Sequence, residues 1–159
     1  MKKLTQKGFT LIELILVIAI IIIIAAAIFV ALNPAKRLGD ANDSVRWSDG
    51  NQIMSAVHQY VVDNKGAFPN SATWVAGNNY ILGTDVTGCD SGCAAAGTTQ
   101  ATCLNLSNLT TNNYIGAIPV DPVSGTAAKT GYYATRSAGG IVTVGACSPY
   151  GATAIKVTR

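Results

Sequence analysis

Residues 14–32 form a run of 19 positions without one charged or strongly polar side chain. As an α-helix this run would extend roughly 28 Å at about 1.5 Å per residue, close to the roughly 30 Å hydrocarbon thickness of a bilayer. Its Ile, Leu and Val side chains leave no polar face, which excludes an amphipathic surface helix. Burying such a helix in a soluble core would require far more protein than 159 residues supply. The run is therefore predicted to span a membrane. A cleaved secretory signal would be shorter and closed by small residues. Ala25-Ala26-Ala27 offers such a site, but the apolar residues continue past it to Leu32.

Lys2, Lys3 and Lys7 precede the span, and by the positive-inside tendency they place the N-terminus in the cytoplasm and the rest of the chain outside. The net charge of +3 resides in these lysines: removing three from eleven basic residues leaves eight, matching the eight acids. No basic face for nucleic acid is expected. The charged fraction of 12%, about half that of ordinary soluble domains, suits a surface packed largely against copies of itself.

Glu13 sits at the edge of the span, where an unpaired carboxylate is costly and hence a functional candidate. The residues around it, Lys7-Gly8-Phe9-Thr10-Leu11-Ile12-Glu13-Leu14, closely resemble the class III leader junction of type IV pilins and pseudopilins. The resemblance implies that a prepilin peptidase cuts after Gly8 and N-methylates Phe9. The new ammonium on Phe9 could not stay unpaired in an apolar filament core. The resemblance implies that Glu13 neutralises it, between neighbouring subunits, and so sets assembly register. Many relatives carry a Gly within the span and a Pro near its outer end; residues 20–30 here contain neither. The first proline is Pro34, after Asn33, and a helix kink or break is predicted there.

Beyond the span, Ala41, Val45, Ile53, Ala56, Val57, Tyr60 and Val61 recur at helical spacing, with Asp40, Asp43, Arg46 and Asp49 largely off that stripe. The helix is expected to stop at Lys65-Gly66, with Gly as the cap. If continuous from Phe9 it would reach about 85 Å. Residues 70–113, rich in Gly, Ser, Thr and Asn, are read as an irregular connection with one short helix. Strands are predicted at 114–120, 131–135, 140–146 and 152–157. The expected fold is α+β: a long N-terminal helix, half membrane-spanning and half amphipathic, packed on a small antiparallel sheet in a pilin-like lollipop. Its expected division is a leader at 1–8, a transmembrane and filament-core helix at 9–34, and an outward head at 35–159 that begins with the amphipathic half of the helix, 35–65.

Cys89, Cys93, Cys103 and Cys147 lie in the predicted outward part, where disulfides are favoured. Four cysteines allow three pairings, and sequence selects none. The working expectation is Cys89–Cys93 with Cys103–Cys147, the second tying the irregular loop to the last strands. The spacing is not that of two zinc knuckles. His58 falls on the predicted helix without a supporting catalytic motif. Major pseudopilins bind calcium in a C-terminal loop, but no acid follows Asp121 to build such a site. Asn105-Leu106-Ser107 and Asn108-Leu109-Thr110 match the glycan acceptor pattern, as does Asn42-Asp43-Ser44. No enzyme, cofactor or metal is expected.

The resemblance implies a structural subunit of a type IV pilus-like filament. It would begin as a single-pass protein of the inner membrane, then enter a helical homo-oligomer outside the cell or on its surface, with a prepilin peptidase and an assembly platform as partners. The alternatives it leaves open are a pseudopilin of a type II secretion or DNA-uptake pseudopilus, and a minor membrane-anchored binding pilin.

Overall fold

The computed structural model describes residues 8–151 and 153–159. Lys2, Lys3 and Lys7, with most of the predicted leader, lie outside the described residues. Two compact units are present, one ending at Leu38 and the other running Gly39–Arg159.

In the first unit, helix α1 covers Leu11–Leu32 and buries none of its residues. It is the one described helix long and apolar enough to cross a membrane. Helix α2, Pro34–Asp63, begins after a single intervening residue. Asn33 lies in the left-handed region at φ 40°, not in the extended conformation that the following proline favours. Asparagine tolerates that region, and the geometry lets it serve two helices. It terminates α1, while its Oδ1 accepts from the Lys36 N–H at 3.3 Å in the first turn of α2. Pro34, with no N–H to lose, fits the first helical position. Arg37 Nε donates to the Leu32 carbonyl at 3.1 Å, satisfying an acceptor that the helix end would otherwise orphan. The chain therefore forms two helices, of 22 and 30 residues, rather than one continuous helix from Phe9.

In the second unit, α2 ends in a six-to-one capping turn. The Gly66 N–H reaches the Val61 carbonyl at 2.8 Å, and Lys65 and Gly66 both have positive φ, 55° and 89°. Lys65, not the glycine, holds the residue directly after the cap, a position usually given to Gly.

A four-stranded sheet follows, with β1 (Asn79–Ile81), β2 (Tyr132–Arg136), β3 (Val142–Ala146) and β4 (Lys156–Thr158) adjacent in that order. All three pairings are antiparallel, in registers such as Tyr80 with Ala134, Ala134 with Val144, and Val144 with Val157. Side chains alternate across a sheet. Tyr132, Ala134, Val144 and Ala146 therefore join Ile53, Met54, Ala56 and Val57 of α2 in one core, closed by Trp74, Leu104 and Leu109. Leu109 belongs to the short helix α3, Ser107–Thr111.

Two strand expectations are corrected. Residues 114–120 form no strand; Pro119 and Pro122 interrupt the donors a ladder needs, and Tyr114 instead meets Tyr60 edge-on at 5.4 Å. The last strand begins at Lys156, not 152, with Ala152 outside the described residues. Strand β1, three residues long, arises where an irregular connection is expected.

The stripe on α2 is corrected too. Ala41 and Val45 are exposed, whereas Arg46 and Asp49 are buried. The upper part of the helix faces polar loops rather than the apolar core. Arg46 Nε donates to Asp121 Oδ2, with a second bond from Nη2 to Oδ1 at 3.1 Å. Its Nη1 meets Asp43 at 2.7 Å. Asp121 Oδ1 also accepts from the Val123 and Ser124 N–H groups at 2.9 and 3.0 Å. Asp43 receives the Tyr150 and Gly151 N–H groups at 2.9 and 3.1 Å. One guanidinium therefore gathers three separate segments. Nearby, the buried Tyr132 hydroxyl donates to Asp49 Oδ2 at 2.6 Å.

Burial opposes ionisation of Asp121, but the donors from Arg46, Val123 and Ser124 outweigh it and hold its carboxyl below the ordinary range. Burial is likewise outweighed at Asp43 by Tyr150, Arg46 and Gly151. The hydrogen bond to Asp121 raises Arg46 still higher, so it stays charged.

Two predictions follow from this packing. Acids with depressed folded values stabilise above their unfolded pKa, about 3.9, and lose that contribution as pH falls through the folded value. The head should therefore weaken progressively below about pH 4, and Asp121→Asn should flatten that acid limb in urea titrations. At neutral pH the same variant should cost about 1.5–3 kcal/mol, because Arg46 keeps Asp43 but loses its charged partner in the two bonds to Asp121. Separately, a Cβ on Gly83 would overlap the Ala128 carbonyl oxygen, whereas Gly116 has open space. Gly83→Ala should lower stability by about 1–3 kcal/mol. Gly116→Ala should stay within about 0.5 kcal/mol, measured by the same urea midpoints.

Candidate functional site

At the N-terminal end, Gly8, Phe9 and Thr10 lie outside regular structure and are exposed. Phe9 is 89% exposed. The 8–9 peptide bond is thus flanked by an unhindered glycine with nothing within 4 Å of where a Cβ would stand, and by a free aromatic side chain.

Thr10 is the N-cap of α1, and Glu13 occupies its first turn. The Glu13 carboxylate accepts from the Thr10 N–H and hydroxyl, both at 2.9 Å. The Glu13 N–H donates back to Thr10 Oγ1 at 3.3 Å. This reciprocal pair is a capping box. The Phe9 nitrogen here is a peptide amide and carries no charge, and Glu13 spends its acceptors on the helix end, where the dipole favours an anion. Within the chain the partner of Glu13 is Thr10, whereas the expected Phe9–Glu13 pairing is one between neighbouring subunits. Sequence reasoning passed over Thr10, although the signal was present: Thr-x-x-Glu ahead of an apolar run. Pro34, the predicted breaking point, stands as the first residue of α2.

The four cysteines form two disulfides, but not the expected ones. The structure joins Cys89 to Cys103 and Cys93 to Cys147. The correction has a geometric cause. The loop between β1 and α3 folds back on itself, with the Cys89 N–H on the Ala101 carbonyl at 2.9 Å and the Cys103 N–H on Asp85 at 3.1 Å. That brings residues 89 and 103 side by side and turns Cys93 towards the end of β3, where Cys147 follows. The Cys147 N–H is held by the Gly131 carbonyl at 2.9 Å. All four sulfurs cluster with Ile81 and Tyr133 in a small second core. They occupy the face of the sheet opposite the main core, since Ile81 pairs with Tyr133 and both alternate with inward residues.

His58 is exposed on α2. Among the described residues no group of three or more His, Cys, Asp or Glu side chains converges in a way that could hold a metal ion. Asp121, the last acid, has its oxygens occupied by Arg46 and the loop N–H groups. Of the glycan acceptor asparagines, Asn105 accepts the Ser107 N–H at 2.8 Å, and Asn108 has a buried Oδ1. Asn42 lies within α2.

Residues 3–29 match the family described as the prokaryotic N-terminal methylation motif. The chain is 42% identical over 73 residues to a type IV major fimbrial protein, FimA, of Dichelobacter nodosus, covering 46% of each chain. It is 40% identical over 70 residues to the type IV wide pilus major component PilA4 of Thermus thermophilus, covering 44% of this chain and 52% of that protein. The chain spans about half the length of the curated relatives it matches. No solved structure matches it. An exposed first helix, apolar but for the capped Glu13 in its first turn, coincides with the matched N-terminal methylation motif, and over somewhat less than half of its length the chain is similar to type IV fimbrial subunits.

Proposed function

We propose that the chain is the precursor of a structural subunit of a type IV pilus-like filament. The observation that carries this reading is α1 itself. Its 22 residues leave large apolar side chains uncovered on every face, a surface that is stable only in lipid or against other apolar helices. A membrane holds it before assembly and copies of itself afterwards, so moving from one to the other exchanges one apolar environment for another. Relatives named as a major fimbrial protein and a wide pilus component favour a pilus over a secretion pseudopilus.

In this reading the N-terminus starts in the cytoplasm, and the head, from Gly39 onward, faces outward. A prepilin peptidase hydrolyses the peptide bond after Gly8, whose flanks are open, and a methyl group is then transferred to the Phe9 amine. The new ammonium needs a counter-charge once it enters an apolar filament core. Glu13 already points its carboxylate towards the helix start, held by Thr10. It supplies that charge to a neighbouring subunit and fixes register, the best-attested use of a buried ion pair. The chain itself carries out no chemistry; peptidase and assembly platform are its working partners.

Intact mass of the subunit in sheared surface filaments, beside that of the whole-cell precursor, tests this. The filament form should lack residues 1–8 and carry one added methyl. Glu13→Gln should be cut normally yet fall at least tenfold in filaments, because its side chain no longer answers the ammonium. A subunit that keeps its leader in cells with an active peptidase, or a Glu13→Gln variant that assembles as well as the parent, contradicts the proposal.

A further inference from the structure

Taken in chain order, the cysteines pair first with third and second with fourth: Cys89 with Cys103, and Cys93 with Cys147. The two bridges interleave, and that has consequences for how they can form. Loop closure in an unfolded chain falls roughly as the three-halves power of the separation. Cys89 and Cys93 are four residues apart, against separations of 14 and 54 for the native pairs. Contact between Cys89 and Cys93 thus needs a far shorter loop closure than either native pair. Order of emergence adds to this bias. If the head is delivered outward N-terminus first, as the proposed function has it, both early cysteines meet an oxidant before Cys103 and Cys147 arrive.

The native pairs also depend on structure that forms late. Cys147 reaches Cys93 only once β3 lies beside β2, with the Cys147 N–H on Gly131. Once the head closes, all four sulfurs are buried, none more than 5% exposed. A wrong pair must therefore be exchanged before closure, because thiol–disulfide exchange needs access to the sulfur under attack.

We propose that this chain depends on thiol-catalysed disulfide isomerisation, and that its oxidation passes through a non-native Cys89–Cys93 bond. Each oxidation sends two electrons and two protons from a pair of thiols to a disulfide-bearing oxidant. Isomerisation itself is redox-neutral. A catalyst thiolate attacks Cys93 Sγ in the Cys89–Cys93 bond, forming a mixed disulfide with Cys93 and releasing the Cys89 thiolate. Cys89 attacks Cys103 Sγ in the Cys103–Cys147 bond, making Cys89–Cys103 and releasing the Cys147 thiolate. Cys147 attacks Cys93 Sγ in the mixed disulfide, making Cys93–Cys147 and returning the catalyst thiolate. Two sulfur–sulfur bonds break, two form, and no electrons are left over.

The test uses the full-length chain in detergent, reduced and unfolded in urea, then diluted with diamide as a thiol-free oxidant. Samples are quenched by alkylation and mapped by non-reducing peptide mass spectrometry, with and without a reduced and oxidised glutathione mixture. Without glutathione, Cys89–Cys93 should dominate and persist. With glutathione, the native pairs should appear at least tenfold faster. A Cys93→Ala/Cys147→Ala variant cannot form the wrong early bond, so its Cys89–Cys103 bond should form equally well in both buffers. Native pairs forming directly in the thiol-free arm overturn the proposal, as does a double variant that still needs glutathione. Neither result touches filament formation, which the mass of the surface subunit tests by itself.

Discussion

The buried Arg46 guanidinium holds the head together where the apolar core does not reach. It takes Asp121 from the loop before β2 and shares Asp43, which in turn binds the N–H groups of Tyr150 and Gly151 after β3. Three segments far apart in sequence therefore meet on one turn of α2. A guanidinium suits this task because its planar fork satisfies two carboxylates while remaining charged. Such a cluster is costly to desolvate, and its value lies in fixing which segments come together. Lower on the same helix, Ile53, Met54, Ala56 and Val57 pack against the sheet in the ordinary apolar way. One helix thus carries two kinds of adhesive, polar above and apolar below.

The opposite face of the sheet is organised differently. Besides the four cysteines, Ile81 and Tyr133 are the buried members of this second cluster, and the loop laid over them is made largely of small and polar residues. Such a loop cannot offset its ordering entropy by burial alone. Two interleaved disulfides reduce the freedom of the unfolded loop instead. Small secreted domains in general use this solution where a core is thin. The first unit follows a third logic: α1 buries none of its own residues, and its apolar surface is a demand on the environment rather than a source of fold stability.

Much of this was legible in the residues. The span, the break before Pro34, the end of α2 and the strands near 131–135 and 140–146 follow from local rules, because hydropathy, proline and glycine act over a few positions. What failed was nonlocal. Strand β1 is three residues long and exists only because β2 lies beside it. Residues 114–120 looked strand-like by composition, but no neighbour accepts them. Arg46 and Asp49 looked like surface charges until the partners of one, Asp121 and Asp43, and of the other, Tyr132, were in place. At the N-terminus the lesson is milder, since the Thr10–Glu13 box was written in the sequence and simply went unread.

The sequence alone determined that this chain has a long apolar helix near its start, with an acid in its first turn and a methylation-type motif over it. Those are properties of contiguous residues, set by hydropathy and local spacing before any fold exists. Tertiary structure alone decided which cysteines pair and which charged residues of α2 are buried. Each of these depends on distances between residues that the backbone brings together only after folding, and composition holds no record of such distances.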